Sequence, residues 1–515
     1  MDIHISSVVV CALVLGLIWV FIVIKSEGHS KKLLPGQNHP LTRLSHHWDI
    51  FGIRIISRIV RSVMNGTILF YMDEIWDMYG DTYTSNILGN KVTFTRDAIN
   101  IKQLLTSQWL DYDVAKGIRI VMFEHLVPGT IAATDGKEWE ENRRKWRHYF
   151  LHLDQLFDMP FLEASFQNLV LHITKDEAID MQPLFLDLAT DLTSNFVLGE
   201  STNCIDPENQ SDDKREYVAA LKKANPVTAI RGLLGPVARF IPQVGYRANC
   251  AIVKGHLGNK IQKTISTRQI ERESGVNPGP AQQTFLDRLL GFTDNPLTLN
   301  HNVTSLMMSN ESISRPLSHT IWLLSRNSVV YEKLRKSVFD LVGYERPTYA
   351  QLTKFTYLKN IINESLRLLP PDPLTLRRAN TDTWLPTGGG HDGKERLLIR
   401  RGERVVISIF GSHRNPANFG DDASEFRPER WDSLNLDAPG YLPFSMGPRV
   451  CIGRQLVLNT TTYILVRLVQ TYSHLQSCDS REFVPRLRFS MSNENGVWVS
   501  MTPDLKAIQK PARSV

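Results

Sequence analysis

The segment Phe444-Ser-Met-Gly447-Pro-Arg449-Val-Cys451-Ile-Gly453 restricts this chain more than any other. One cysteine stands between two glycines, just ahead of an apolar stretch of helical character. Gly447 lets the loop turn, and Gly453 lets the following backbone lie flat against a large planar partner. A helix N-terminus and nearby backbone N–H groups stabilise a negative sulfur, so the position favours a thiolate. Phe444 would shield that sulfur from water. With Cys11, Cys204, Cys250 and Cys478 the chain has five cysteines, widely spaced and without a CxxC pair. A zinc site needs clustered Cys and His. So few cysteines could not staple so long a chain with disulfides. The body is expected to be reduced and cytosolic, and Cys451 must be explained by its own surroundings.

Phe444, Gly447, Arg449, Cys451 and Gly453 together resemble the cytochrome P450 signature FxxGxRxCxG. The resemblance implies haem b (iron protoporphyrin IX), with Cys451 as the axial ligand of the iron. It also implies Arg449 in a bidentate contact with a propionate, and Phe444 and Gly453 beside the ring. Thiolate ligation favours O–O cleavage. Further segments resemble the same family. Glu364-Ser-Leu-Arg367 matches its ExxR pair, three apart on one helix face. Phe426-Arg-Pro-Glu-Arg430-Trp implies that Arg430 completes a structural triad with Glu364 and Arg367. Trp139-Glu-Glu-Asn-Arg143 resembles the WxxxR helix, which implies that Trp139 and Arg143 face a propionate. Arg377 is implied as a further propionate partner, with its neighbour Arg378 as the rival.

The oxygen-activating helix of the family carries a small residue, then Gly, an acid and Thr. Here the corresponding stretch reads Met308-Ser309-Asn310-Glu311-Ser312-Ile313, with Ser309 in place of Gly, Glu311 in the acid place, Ser312 in the threonine place and Pro316 following. Glu311 and Ser312 are the candidate catalytic pair: the chemistry needs a hydroxyl near the site of oxygen activation and a carboxylate that relays protons from water. The departure also leaves open a branch that rearranges or dehydrates its substrate. A haem protein that binds a ligand without turnover is the non-enzyme alternative, but it needs no proton relay. Leu385-Pro-Thr-Gly-Gly-Gly-His-Asp-Gly393 looks like an insertion of the fungal branch that hydroxylates alkanes and fatty acids. The expected activity is monooxygenation of a hydrophobic small molecule. The altered distal residues favour a fungal secondary metabolite over a fatty acid or alkane.

The rest of the chain fits one catalytic domain. Ile5–Ile24 carries no charge, and twenty helical residues span roughly 30 Å. Residues 1–24 are therefore expected to form a single transmembrane helix, and 25–40 a basic hinge with Pro35 and Gly36. Residues 41–515 would form the catalytic domain. Lys25, Lys31 and Lys32 place the body on the cytosolic side; the resemblance makes the membrane the endoplasmic reticulum. The fold is expected to be mainly α with minor β sheets, one near each end of the domain, with helices from about 136 to 365 and a surface loop at 270–300. Strands are expected at Leu397–Arg400 and Val405–Ile409, and a last helix from Cys451 to Tyr472. The net charge of +6 on 515 residues gives no case for nucleic acid. No Gly-rich nucleotide fingerprint appears, so electrons are expected from a separate protein. By the resemblance that partner is NADPH-cytochrome P450 reductase, which could dock on Arg143-Arg144-Lys145-Trp-Arg147.

Overall fold

A computed structural model of the chain describes residues 53–87, 90–150, 153–275, 284–293, 295–390 and 392–506. The expected anchor and hinge lie outside them. Among the described residues no helix is long and apolar enough to cross a membrane.

The chain is mainly helical, with small sheets. Six of its helices frame the interior: α1 (Lys116–Phe123), α2 (Gly136–Phe150), α3 (Pro296–Met307), α4 (Glu311–Ser325), α5 (Thr356–Leu368) and α6 (Arg454–Thr471). The start of α3 is set locally. The Asn295 side chain accepts from the Leu297 and Thr298 N–H groups at 3.0 and 3.1 Å, and Pro296 occupies the first turn, where no N–H is needed. Residues Ile313–Ser325 of α4 are all buried. That helix is the axis of the core, where Leu317, Ile321 and Leu324 pack with Ile361 of α5 and Ile464 and Leu465 of α6. A second cluster joins Trp146 of α2 to Phe196, Phe285, Val303 and Met307.

Between α3 and α4, Met308–Asn310 forms one 3-10 turn. The pair therefore reads as one long helix interrupted at its middle, a place where functional bends occur. Six residues beyond Asn310, Pro316 lies inside α4 and removes the helical hydrogen bond that residue 316 would donate to the Ser312 carbonyl.

A five-stranded sheet contains β1 (Thr82–Ile87), β2 (Asn90–Thr95), β3 (Tyr112–Asp113), β4 (Leu374–Ala379) and β5 (Arg404–Ser408), in the order β1-β2-β5-β4-β3. The β2–β5 pair is parallel and its neighbours are antiparallel. The expectation of one sheet at each end is thus corrected: this sheet joins strands from both halves of the chain. A three-stranded sheet contains Ile179–Asp180, Trp498–Pro503 and Tyr472–Ser477. In the hairpin Thr383–Gly389 with Glu395–Ile399, a Cβ at Gly389 would fall 2.3 Å from the Arg396 carbonyl oxygen. That contact explains a glycine within the 388–390 run.

The expected loop at 270–300 is also corrected in its described part, residues 276–283 and 294 lying outside the described residues. A helix runs to Glu273, another covers Phe285–Leu290, and α3 begins at Pro296. Thr284 and Asn295 in this stretch act as helix caps. Thr284 and Asp287 form a reciprocal capping box, and Phe285, Leu286 and Leu289 are buried. The last helix begins at Arg454 rather than Cys451, because Gly453 is its N-cap.

Candidate functional site

The loop before α6 is shaped by its own backbone. Cys451 N–H donates to the Phe444 carbonyl at 2.9 Å, and Val450 N–H donates to that of Gly447 at 3.1 Å. Ser445 and Gly447 both have positive φ, of 61° and 69°. A Cβ at Gly447 would fall 1.9 Å from the Leu105 carbonyl oxygen, so only glycine fits there. Gly453 differs: a Cβ would meet nothing closer than Phe150 Cε1 at 4.0 Å. The protein itself makes no demand for glycine at that position. Phe444 is half-buried against the main core, with the Arg454 guanidinium 5.9 Å from its ring centre.

Cys451 lies deep in the molecule, and burial is the main influence raising its thiol pKa. The Gly453 and Arg454 N–H groups and the Arg143 charge oppose that rise. Yet the residue is open to a water-sized probe. The surface it exposes therefore faces a space inside the body.

Around that space the guanidiniums gather. Arg449 donates to Asp135 Oδ1 at 2.5 Å and to the Thr134 carbonyl at 3.2 Å. Its guanidinium also lies 4.2 Å from the centre of the buried Trp139 ring. Arg143 donates to the Val450 carbonyl at 2.5 Å. Arg377 is buried and donates to the Leu376 carbonyl at 2.9 Å and Thr375 Oγ1 at 3.2 Å. Arg378 instead pairs with Asp113 at 2.5 Å, so of the two rivals only Arg377 belongs to the inner group. Burial, with repulsion from Arg119 and Arg449, brings the Arg377 pKa down to about 9.

Arg119 was not singled out from sequence. It sits on α1, donates to the Ala132 carbonyl at 3.0 Å, and is deeply desolvated. A lone guanidinium within Ile118-Arg-Ile-Val-Met-Phe123 was the available signal.

Four guanidiniums therefore converge, with Asp135 as the carboxylate bonded to one of them. Such an excess of buried positive charge is costly unless an anion joins it. A haem fits on three observations: the guanidinium excess matches two propionates, the thiol opens onto the same space, and Gly453 keeps room that no protein group uses.

The expected structural triad is assembled and buried. Glu364 accepts from Arg367 through both carboxylate oxygens at 2.8 Å and from Arg430 Nε at 3.4 Å. It accepts as well from Trp431 Nε1 and the Arg427 N–H, each at 3.0 Å. Arg367 spends its remaining donors on the carbonyls of His413, Ala423 and Glu425. The group ties α5 to the stretch that leads into the cysteine loop.

The candidate catalytic pair separates into two environments. Glu311 is buried, and its Oε2 accepts from Arg315 and from the Ser490 N–H, each at 3.1 Å. Half-buried Ser312 has a hydroxyl without a hydrogen-bond partner among the described residues. The exposed side chains of Arg144, Lys145 and Arg147 leave a basic outer face on α2.

The family model described as Cytochrome P450 matches residues 55–497. Cytochrome P450 52A7 of Candida tropicalis is 33% identical over 82% of this chain and 84% of its own length. Cytochrome P450 52A13 of Debaryomyces hansenii is 30% identical over 88% of this chain and 90% of its own. Cytochrome P450 monooxygenase fsdH of Fusarium heterosporum is likewise 30% identical, over 88% and 81%.

Proposed function

This chain belongs to the cytochrome P450 family of oxidoreductases, and from that premise we propose that it hydroxylates or epoxidises a hydrophobic secondary metabolite, with Cys451 as the thiolate ligand. The observation that carries this reading is the thiol of Cys451 opening onto an interior ringed by Arg119, Arg143, Arg377 and Arg449. Arg449, Arg143, Arg377 and Arg119 would hold the two propionates, with Trp139 backing Arg449. When bound, the haem would supply oxygen activation, made easier by electron donation from the thiolate. The N–H groups of Gly453 and Arg454 favour the thiolate and partly offset the burial that raises the thiol pKa. Phe444 excludes water from it.

Ser312 would supply the hydroxyl near the reacting oxygen. Glu311, held by Arg315 and Ser490, would deliver protons from a fixed position rather than swing. The unpartnered Ser312 hydroxyl favours this over the alternative in which the enzyme rearranges its substrate without oxygen. Electrons would come from NADPH through a separate cytochrome P450 reductase docked on the Arg144–Arg147 face. Residues 1–24 would anchor the protein in the endoplasmic reticulum, with the catalytic domain cytosolic.

The test is electron accounting in the protein reconstituted with reductase. Ser312→Ala should retain its haem and still consume NADPH, but divert electrons to hydrogen peroxide. Product per NADPH should fall by about 10²-fold, the low end for a lost acid–base group. Ser312→Thr should restore it. Product formation without NADPH would establish the rearranging reading instead.

A further inference from the structure

Asp372 is a carboxylate that the reading above does not use. It stands between Pro371 and Pro373, ahead of β4. The Pro371 carbonyl accepts from the Met491 N–H at 2.7 Å, and that of Pro373 accepts from Ile409 and Phe410 at 2.9 and 3.1 Å. The backbone on both sides of Asp372 is therefore fixed.

Its side chain is open to a water-sized probe, although the surrounding protein desolvates it enough to lift its pKa to about 6. Arg119 of α1 and Glu311 of α4 act on its charge, and that charge acts in turn on the Cys451 thiol. Four distant segments thus bring these groups round one space, and Asp372 faces the same chamber as the thiol. The neighbours are already engaged. Arg119 donates to Ala132, while Glu311 is held by Arg315 and Ser490. No hydrogen bond or ion pair within 4 Å engages Asp372 among the described residues.

We infer that Asp372 is the polar anchor of the substrate chamber, accepting a hydrogen bond from a hydroxyl or N–H of an otherwise apolar substrate and turning carboxylates away. This rests on the family reading of Cys451. A carboxylate has about four lone-pair sites, and burying them unpaired is costly. A substrate that brings a donor relieves that cost. An alkane brings none, and an ionised fatty acid places a further negative charge beside Asp372 and Glu311. The flanking prolines fix where the donor must lie and so orient the rest of the molecule within the chamber. Asp372 thereby selects among hydrophobic substrates by one functional group.

The experiment titrates the full-length, haem-loaded protein with three probes built on a twelve-carbon chain and follows the spin-state shift of its absorbance. The probes are dodecan-1-ol, its methyl ether and dodecanoate. The wild type should bind the alcohol about tenfold more tightly than the ether, the size of one hydrogen bond to a charged group, and dodecanoate most weakly. Asp372→Leu should erase the preference for alcohol over ether. Asp372→Asn, nearly isosteric, should keep part of that preference and tighten dodecanoate. Affinity ratios unchanged in both variants would overturn the inference. The carbon monoxide spectrum of the wild type is read separately. Absence of the thiolate signature there would sink the Cys451 reading, whereas an intact signature with unchanged ratios sinks Asp372 alone.

Discussion

His413 ties the strand-to-loop region to α5 through both ring nitrogens. Nε2 accepts from the Leu442 N–H at 2.9 Å, so Nδ1 must carry the proton and donate to the Arg367 carbonyl at 3.0 Å. A protonated ring could not accept from Leu442. Burial first, and then the nearby Arg367 charge, bring its pKa down to about 3. The unfolded chain takes up that proton near pH 6.5. Between those values the unfolded state holds more protons, so stability rises with pH and is lost as pH falls from about 6.5 toward 3. One proton gives a slope of about 1.4 kcal/mol per pH unit. Urea unfolding at pH 7.5, 6.0 and 5.0 should show at least that slope below pH 6.5, since the buried His319 is lowered to about 3 as well. His413→Gln should be less stable at pH 7.5 and flatter below it; an equal slope would exonerate His413. Arg119 acts at the same scale with a different outcome. Arg119→Leu removes one of four converging charges without opening the core. Haem should dissociate at least several-fold faster while the helical signal is unchanged, as measured by transfer to an apoprotein acceptor. A haem off-rate equal to wild type would remove Arg119 from the site.

At the scale of elements, the cysteine loop is held from two directions. Leu105 blocks any side chain at Gly447, and the Glu364 network fixes the stretch before the loop. Glu364→Gln removes the charge that two buried guanidiniums share. Breaking a buried ion pair from one side costs about 3–5 kcal/mol, so the variant should unfold at markedly lower urea and yield mostly protein without haem. Haem content and urea midpoint near wild type would show that the network is dispensable. The presence of this network was legible in sequence, because the Glu364–Arg367 spacing and Arg430 carry it. So was the position of Cys451, since two glycines and an arginine at fixed offsets have few other uses. The role of Asn295, Pro296 and Thr284 was not legible. Cap residues and loop residues are the same types, and only burial of Phe285 and Leu289 decides between them. The joining of β2 to β5 was equally hidden, because parallel pairing across some three hundred residues leaves no local pattern. Arg119 and Asp372 escaped notice since no spacing rule marks a lone charge. Their meaning comes from what the fold places opposite them.

Across the whole molecule, charge and apolar surface divide the labour. The exposed Arg144, Lys145 and Arg147 form the basic face on which we propose that an acidic partner docks, and electrostatic docking of this kind weakens as salt rises. The uncharged Ile5–Ile24 run, if helical, matches one hydrocarbon core. The family match begins at residue 55, well past that run. The two functions should therefore be separable. A protein lacking residues 1–24 should fold, take up haem and show the same spin-state shifts as the full chain. Most of it should leave the membrane fraction on high-speed sedimentation. A remainder should stay bound at low salt, because basic and apolar surface still meets lipid, and should be released when salt is raised. Reductase-supported turnover should fall more than ligand binding does, since two proteins held on one membrane meet at a higher effective concentration than two in solution. Restoring turnover with excess soluble reductase would show that the loss lies in encounter. Failure of the shortened protein to take up haem would instead make residues 1–24 part of the folded core, and the division proposed here would be wrong.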